Sequence, residues 1–298
     1  MDQQLQVFVT VVEKKNFTHA AEELHMTQPA VSQYIRGLEN IIGTRLLERS
    51  NKYVRVNQVG EIVYHHAKEI LGLYTKMQTL VDDVTNVANG PISIGASYTF
   101  GEYVLPHIIA KLQQSYPDIQ PTVTIDNTKE IVSLVDAHQL DVGIVEGYLT
   151  DIKLRVEEFS EDQMVVVVSP DNAFSKKNGV IEISDLEKET WIVREEGSGT
   201  REATEKMFNQ LNIHPAKLMS FGSNQVIKES VEAGLGISLL SKWVVQKQLR
   251  NGDLIMLNIK GLPFYRHFSI VTKSPFQTKA LEVFIRSLLD DKMLPRLS

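Results

Sequence analysis

Cysteine is absent from all 298 residues. With no thiol, disulfide staples, thiolate catalysis, cysteine-ligated zinc and cysteine-based redox sensing are all excluded. Long apolar runs are missing too. The longest β-like run, Met164-Val-Val-Val-Val168, suits one buried strand and falls far short of the roughly 20 apolar residues of a membrane helix. The first residues, Met1-Asp2-Gln3-Gln4, lack a basic stretch followed by an apolar core, so no signal peptide and a cytoplasmic location are expected. Histidine supplies no metal centre: His65 and His66 are adjacent, so on a helix they face different directions and cannot both ligate one ion. No metal site, cofactor or catalytic residue is expected. Positive charge is also short. The net charge of −6 is an unpromising sum for a protein that touches nucleic acid.

The distribution of charge says more than its sum. Within residues 28–57, Arg36, Arg45, Arg49, Lys52 and Arg55 stand against only Glu39 and Glu48, a local net charge of +3. Hydrophobic residues at 43% and charged residues at 23% describe a soluble globular protein, long enough for two or three compact units.

Phe17 to Arg36 reads as two short helices joined by a tight turn. Thr18 is placed to cap the first by accepting an orphan backbone N–H, and Ala20, Ala21 and Leu24 give that helix a small apolar face. Thr27 caps the second, and Pro29 falls in its first turn, where a missing N–H costs nothing. Val31, Ile35 and Leu38 recur at i, i+4, i+7 and point inward. At about 100° per residue, Pro29, Ser32, Gln33 and Arg36 share the opposite face. That face suits base edges and phosphates in a major groove, although an ordinary surface helix pair has a similar composition. Upstream, Gln3–Glu13 is an amphipathic helix whose Leu5, Phe8, Val9 and Val12 complete a three-helix core. Downstream, Gly43 ends the helical segment and residues 49–57 form a small hairpin, or wing, carrying Arg49, Lys52 and Arg55.

One helical pattern then runs from Gln58 to Asn89. Val63, Ala67, Ile70, Tyr74, Met77, Val81, Val84 and Ala88 alternate spacings of four and three, a heptad seam that calls for a partner helix or for burial against the chain's own domain. Asn89-Gly90-Pro91 breaks the helix. Beyond it strands and helices alternate, which predicts mostly parallel sheets covered by helices.

Leu5, Phe8, Val11, Phe17-Thr18, Ala20-Ala21, Leu24, Thr27-Gln28-Pro29-Ala30-Val31-Ser32, Ile35, Leu38-Glu39, Gly43, Leu46-Leu47 and Arg49 together resemble the N-terminal signature of LysR-type transcriptional regulators. The resemblance implies a multidomain α+β and α/β fold. Residues 1–58 would be a winged helix-turn-helix with its motif at about 18–37, and residues 59–89 a dimerising linker helix. Residues 90–298 would be a two-lobed α/β effector domain of the periplasmic-binding-protein-like (type 2) kind. Its first lobe would take about 91–162 and 267–298 and its second about 163–266, with the chain crossing near Phe159–Gln163 and Tyr265–Ser269. The implied partners are double-stranded operator DNA, a small-molecule effector, further copies of the chain in a homodimer or homotetramer, and RNA polymerase if the regulator activates; no membrane is involved. The residues expected at DNA are Thr18, Thr27, Gln28, Pro29, Ser32, Gln33, Arg36, Arg49, Lys52 and Arg55.

In open α/β sheets ligands sit beyond the carboxyl ends of strands, at helix N-termini. Ser97, Tyr98 and Thr99 follow one strand. Ser198, Gly199, Thr200 and Arg201 follow another and open a helix, where freed N–H groups, hydroxyls and one cation suit an anion. Glu146-Gly147 and Asn224-Gln225 are expected to reach the same cleft. Glu146 suits a ligand that also carries a cation, an amino-acid-like metabolite, unless it simply pairs with Arg201. Catalysis has no such support: Glu196-Gly197-Ser198-Gly199-Thr200 is not a G-x-S-x-G elbow, and Gly234-Leu235-Gly236 lacks the third glycine of a dinucleotide fingerprint. A secreted solute receptor would fit residues 91–298 alone, and the N-terminal helices argue against it.

Overall fold

The computed structural model describes residues 2–49, 54–82, 88–147, 149, 153–176, 181–273, 277–290, 292 and 294–295. Two compact units emerge, residues 1–84 with 137–139, and residues 85–136 with 140–298.

In the first unit, Asp2–Lys14 (α1), Phe17–Glu23 (α2) and Gln28–Ile42 (α3) precede an antiparallel hairpin of Leu47–Arg49 (β1) and Val54–Val56 (β2) and then a 25-residue helix, Gln58–Asp82 (α4). Leu5, Phe8, Val11, Ala20, Val31, Ile35 and Leu38 pack into one core. Val11 takes the buried place expected of Val12, which is half-buried, because Leu5, Phe8 and Val11 keep a spacing of three. The cap of α2 is Asn16, not Thr18. The Asn16 carboxamide accepts from the backbone N–H of Thr18 at 2.8 Å and of His19 at 3.2 Å, and asparagine outranks threonine in that role. Thr27 caps α3 as expected, its hydroxyl accepting from Ala30 N at 3.4 Å. Gly43, with φ of 85°, ends α3 in the left-handed region that glycine enters without strain.

The heptad pattern on α4 divides. Val63 and Ala67 turn into the core of their own unit, whereas Ile70, Tyr74, Met77 and Val81 are 44–66% exposed. The helix ends at Asp82 among the described residues rather than at Asn89, and Val84 lies outside them. Ala88 is no seam residue. It packs on the core of the second unit, just before Gly90-Pro91, where a proline pushes its predecessor out of helical backbone.

The second unit opens with Gly90–Ser97 (β3), Tyr98–Tyr103 (α5), Leu105–Ser115 (α6), Ile119–Asp126 (β4), Thr128–Asp136 (α7) and Val142–Glu146 (β5). A 14-residue strand, Arg155–Val168 (β6), follows. Then come Ile183–Leu186 (α8), Thr190–Arg194 (β7), Gly199–Leu211 (α9), Lys217–Phe221 (β8), Asn224–Glu232 (α10), Ser238–Ser241 (β9), Lys242–Asn251 (α11) and Ile255–Met256 (β10). Phe264–Thr272 (β11) returns, and Lys279–Leu289 (α12) closes the unit.

The main sheet has the order β10-β6-β11-β5-β3-β4, with β9 also on β6. It is mixed rather than mostly parallel. Strand β3 runs parallel to β4 and β5, while every pairing of β6 and β11 is antiparallel. The cause is topological: β6 carries the chain out of the first lobe and β11 carries it back, so the two lie side by side in opposite senses. Each lobe has its own core. Ile94, Phe100, Leu105, Ile144, Phe268 and Phe284 fill the first, and Met164, Val166, Trp191, Met207 and Leu239 the second. Phe100 stacks edge-on against Phe268 at 5.0 Å and Phe159 at 5.7 Å, which anchors the crossing strands to the first lobe.

Candidate functional site

In the first unit, Gln28, Pro29, Gln33 and Arg36 form the exposed face of α3, opposite its buried stripe of Val31, Ile35 and Leu38. Ser32 is half-buried, and its hydroxyl accepts from Gln28 Nε2 at 3.0 Å, which holds both side chains on the same turn. Thr18 and Thr27 are exposed on α2 and at the cap of α3. Arg55 is exposed on β2; the Arg49 side chain and Lys52 lie outside what is described. Beyond the last turn of α3, Arg36, Glu39, Asn40, Gly43, Thr44 and Arg45 line a polar recess of about 510 Å³. Glu39 accepts from Leu46 N at 3.0 Å, fixing the chain's path out of the helix. Asn40 and Thr44 were not expected here, although Asn40 follows Arg36 by four residues and so shares its face.

In the second unit the expected ligand residues converge, but on one another. Ser97, Thr99, Glu146, Ser198, Thr200 and Asn224 are all buried. Their centre is Arg266 of β11, which the sequence did not single out. Its Nε donates to Asp162 Oδ2 at 2.7 Å, its Nη1 to Thr200 Oγ1 at 3.1 Å and its Nη2 to Thr99 Oγ1 at 3.2 Å. Glu146 stands 3.7 Å from Nη2, and its carboxylate accepts from the Ser97 hydroxyl. Asn224 joins the lobes a second time, donating to Thr99 Oγ1 at 3.2 Å and accepting from Arg194 Nη1 at 3.0 Å. Arg194 also grips Glu195 with two bonds of 2.7 Å and lies 4.5 Å from the Tyr98 ring. Asp162 and Arg266 are Cα partners across the crossing strands. Arg266 is the one arginine in the mostly uncharged β11, which was the signal available to find it, whereas Asp162 is one of five charged residues in β6 and carried no such mark.

Burial pushes the carboxyls of Glu146 and Asp162 up from their ordinary range, and Arg266 pulls against it in both. Glu195 is also partly desolvated, but its bonds to Arg194 carry it below the usual value.

Two expected residues stand apart. Arg201 turns away from Glu146 and pairs with Glu205 at 2.6 Å, because Arg266 already fills the place beside Glu146. Gln225 is exposed and donates to Glu229 at 2.7 Å, one helical turn along α10. Gly199, by contrast, is needed for close approach. A Cβ there would fall 2.0 Å from the Glu146 carbonyl oxygen. A cavity of about 510 Å³ opens next to this point, walled by α7 (Thr128, Lys129, Val132) and by the loop and first turns of α9 (Gly197, Arg201, Glu202). Thr128 belongs both to that wall and to the buried ring, donating to the Glu146 carbonyl at 2.8 Å. Gly147, with φ of 115°, bends the chain away beside Glu202. The cavity can therefore receive a small polar molecule, beside a buried cluster of hydroxyls and two arginines.

Family models match at both ends of the chain. Residues 3–61 fit the "Bacterial regulatory helix-turn-helix protein, lysR family" and residues 85–292 the "LysR substrate binding domain". The HTH-type transcriptional regulator CysL of Bacillus subtilis is 37% identical over 286 residues, 95% of each chain. The regulatory domain of CcmR from Synechocystis, solved in complex with 2-PG, is 25% identical with a TM-score of 0.62, over 67% of this chain and 96% of that one. Full-length CbnR, solved with its target DNA, has the same fold at a TM-score of 0.73, with 21% identity over 97% and 98% of the two chains.

Proposed function

Because the chain belongs to the LysR family of bacterial helix-turn-helix regulators, we propose that it couples a small anion in its second unit to the way its first unit engages operator DNA. It is a transcriptional regulator with an effector-binding domain, and its relatives are regulators. We read it as non-catalytic and cytoplasmic. Among the described residues no helix is long and apolar enough to cross a membrane. We assign DNA binding to residues 1–58, pairing with a second copy to α4, and effector binding to 90–298.

The base-reading face is Gln28, Pro29, Ser32, Gln33 and Arg36, supported by the exposure of all of these but the half-buried Ser32, opposite a buried stripe. Arg55 is assigned to phosphate. The two roles separate by experiment. Gln33→Ala should cost roughly 1–3 kcal/mol at the specific site and little on random DNA. Arg55→Gln should weaken both and lower the salt-dependence slope by about one. Equal losses on both DNAs for Gln33→Ala, in titrations at one salt concentration, would sink this assignment.

The observation that carries the sensor reading is the convergence of Thr99 and Thr200, from the two lobes, on one buried guanidinium, with the neighbouring Ser198 and Gly199 lining an open cavity. An anion bridging those hydroxyls and Arg266 would hold the lobes closed. A thermal-shift screen of small anions, with 2-PG first because the CcmR domain binds it, tests the reading when paired with DNA footprinting. A true effector raises stability with concentration and alters the footprint. Thr200→Val keeps the volume but removes a hydrogen bond worth roughly 1.5–3 kcal/mol to a charged ligand, so affinity should fall about tenfold or more. An unchanged effector response in that variant would move the pocket elsewhere.

A further inference from the structure

Glu146 is a buried carboxylate whose backbone abuts the wall of a cleft proposed to hold an anion, and it would repel one. Its position explains why it is there. One side of the carboxyl is held by the Ser97 hydroxyl, and Oε1 stands 3.7 Å from Arg266 Nη2. Asp162 is held much more firmly, at 2.7 Å from Arg266 Nε and 2.5 Å from the Ser241 hydroxyl. The guanidinium thus has one close counter-ion and a second at arm's length, on the side where Thr99 and Thr200 also meet it. The charged and titratable groups facing Glu146 are Arg266 from β11, Asp162 from β6 and Arg194 from β7. The Ser97 and Thr99 hydroxyls come from β3 and α5.

We infer that Glu146 is a built-in stand-in for the effector: an incoming anion replaces its carboxylate as the second counter-charge of Arg266, and Glu146 takes up a proton from solvent as the anion seats. The inference rests on the reading that this cleft binds an anion, and it adds the regulation of that site. Burial already favours the protonated carboxyl, and Arg266 is the main force opposing it. An anion that neutralises Arg266 removes that opposition, so anion and proton bind together. Above the pH at which Glu146 titrates in the free protein, anion affinity then falls by up to about tenfold per pH unit.

Sulfate is a suitable probe because it does not titrate across the range of interest. The full-length protein is melted in sodium sulfate and in sodium chloride of equal ionic strength, between about pH 5 and pH 8. The wild type should gain stability from sulfate at the acid end and lose the gain as pH rises. Glu146→Gln should keep it throughout, and Glu146→Gln with Arg266→Met should show none. On the wild type, calorimetry in two buffers of different ionisation enthalpy should report uptake approaching one proton per sulfate, a measurement that stands even if the variants fold poorly. Equal, pH-independent gains in wild type and Glu146→Gln, sulfate binding without proton uptake, or no gain in either protein at any pH would overturn the inference. Should Glu146→Gln gain its sulfate site while no metabolite alters the footprint, sensing falls and the inference stands. An effector that does alter it, without proton linkage, gives the reverse.

Discussion

Met77→Asp or Val81→Asp is expected to turn an associated protein into monomers. Both side chains lie on the outer part of α4, 52% and 66% exposed in the single chain, in line with the exposed Ile70 and Tyr74. Four large apolar residues in heptad register need another surface to cover them. A second copy of the same helix supplies a matching one. Aspartate at the centre of such a seam would bury two like charges with no partner, a loss on the order of several kcal/mol per site. Sedimentation should then give the mass of one chain, and the variant should no longer protect both halves of a palindromic site. Ala67, by contrast, is buried in the core of its own unit, so Ala67→Asp should unfold that unit rather than merely separate copies. A Met77→Asp protein that sediments like the wild type would mean that the exposed stripe has another purpose.

Arg266→Met should be the most destabilising single change in the second unit. It strands the Asp162 carboxylate, 0% exposed, and leaves Glu146 without its nearest cation. Removing one partner of a buried pair costs about 3–5 kcal/mol. The dependence on pH gives the mechanism away. Burial raises both carboxyls and Arg266 restrains that rise, so its loss lets both folded-state values climb further. A group whose folded value lies above its unfolded one favours folding only while protonated. That contribution is present below the ordinary carboxylate range and lost as pH rises through the folded value. The variant should therefore recover stability on acidification more steeply than the wild type, and Arg266→Met with Asp162→Asn should recover much of it at neutral pH. A loss that is the same at every pH would point to lost packing instead of stranded charge.

What could be read from the chain beforehand depended on whether neighbours in sequence were neighbours in space. The stripe of Val31, Ile35 and Leu38, the cap at Thr27 and the face of Gln33 and Arg36 all follow from helical geometry within a few residues, and they lie where that geometry puts them. The hydroxyls at Thr99 and Thr200 were found for a similar reason, since strand-to-helix junctions mark themselves with local residues. Arg266 was not, because its partners are 66, 104 and 167 residues away and only the crossing of β6 and β11 assembles them. Asn16 shows the converse limit. Two cap-forming residues two positions apart differ by a small energy, and the stronger one moved the helix start to Phe17.

The register of the crossing strands has a consequence for how the molecule can be rebuilt. Phe264 lies opposite Met164 and Tyr265 opposite Gln163, so the hundred or so residues between them leave and re-enter at one doorway. They form a cassette whose two ends are already side by side. A tight two-residue turn from Gln163 to Tyr265 would close the same ladder as an ordinary hairpin, and a cassette from another chain could be spliced in at the same pair without disturbing the strands on either side. Trading one recognition pocket for another thus needs a single, geometrically matched junction, with Arg266 and Asp162 left on the host side to greet whatever is installed.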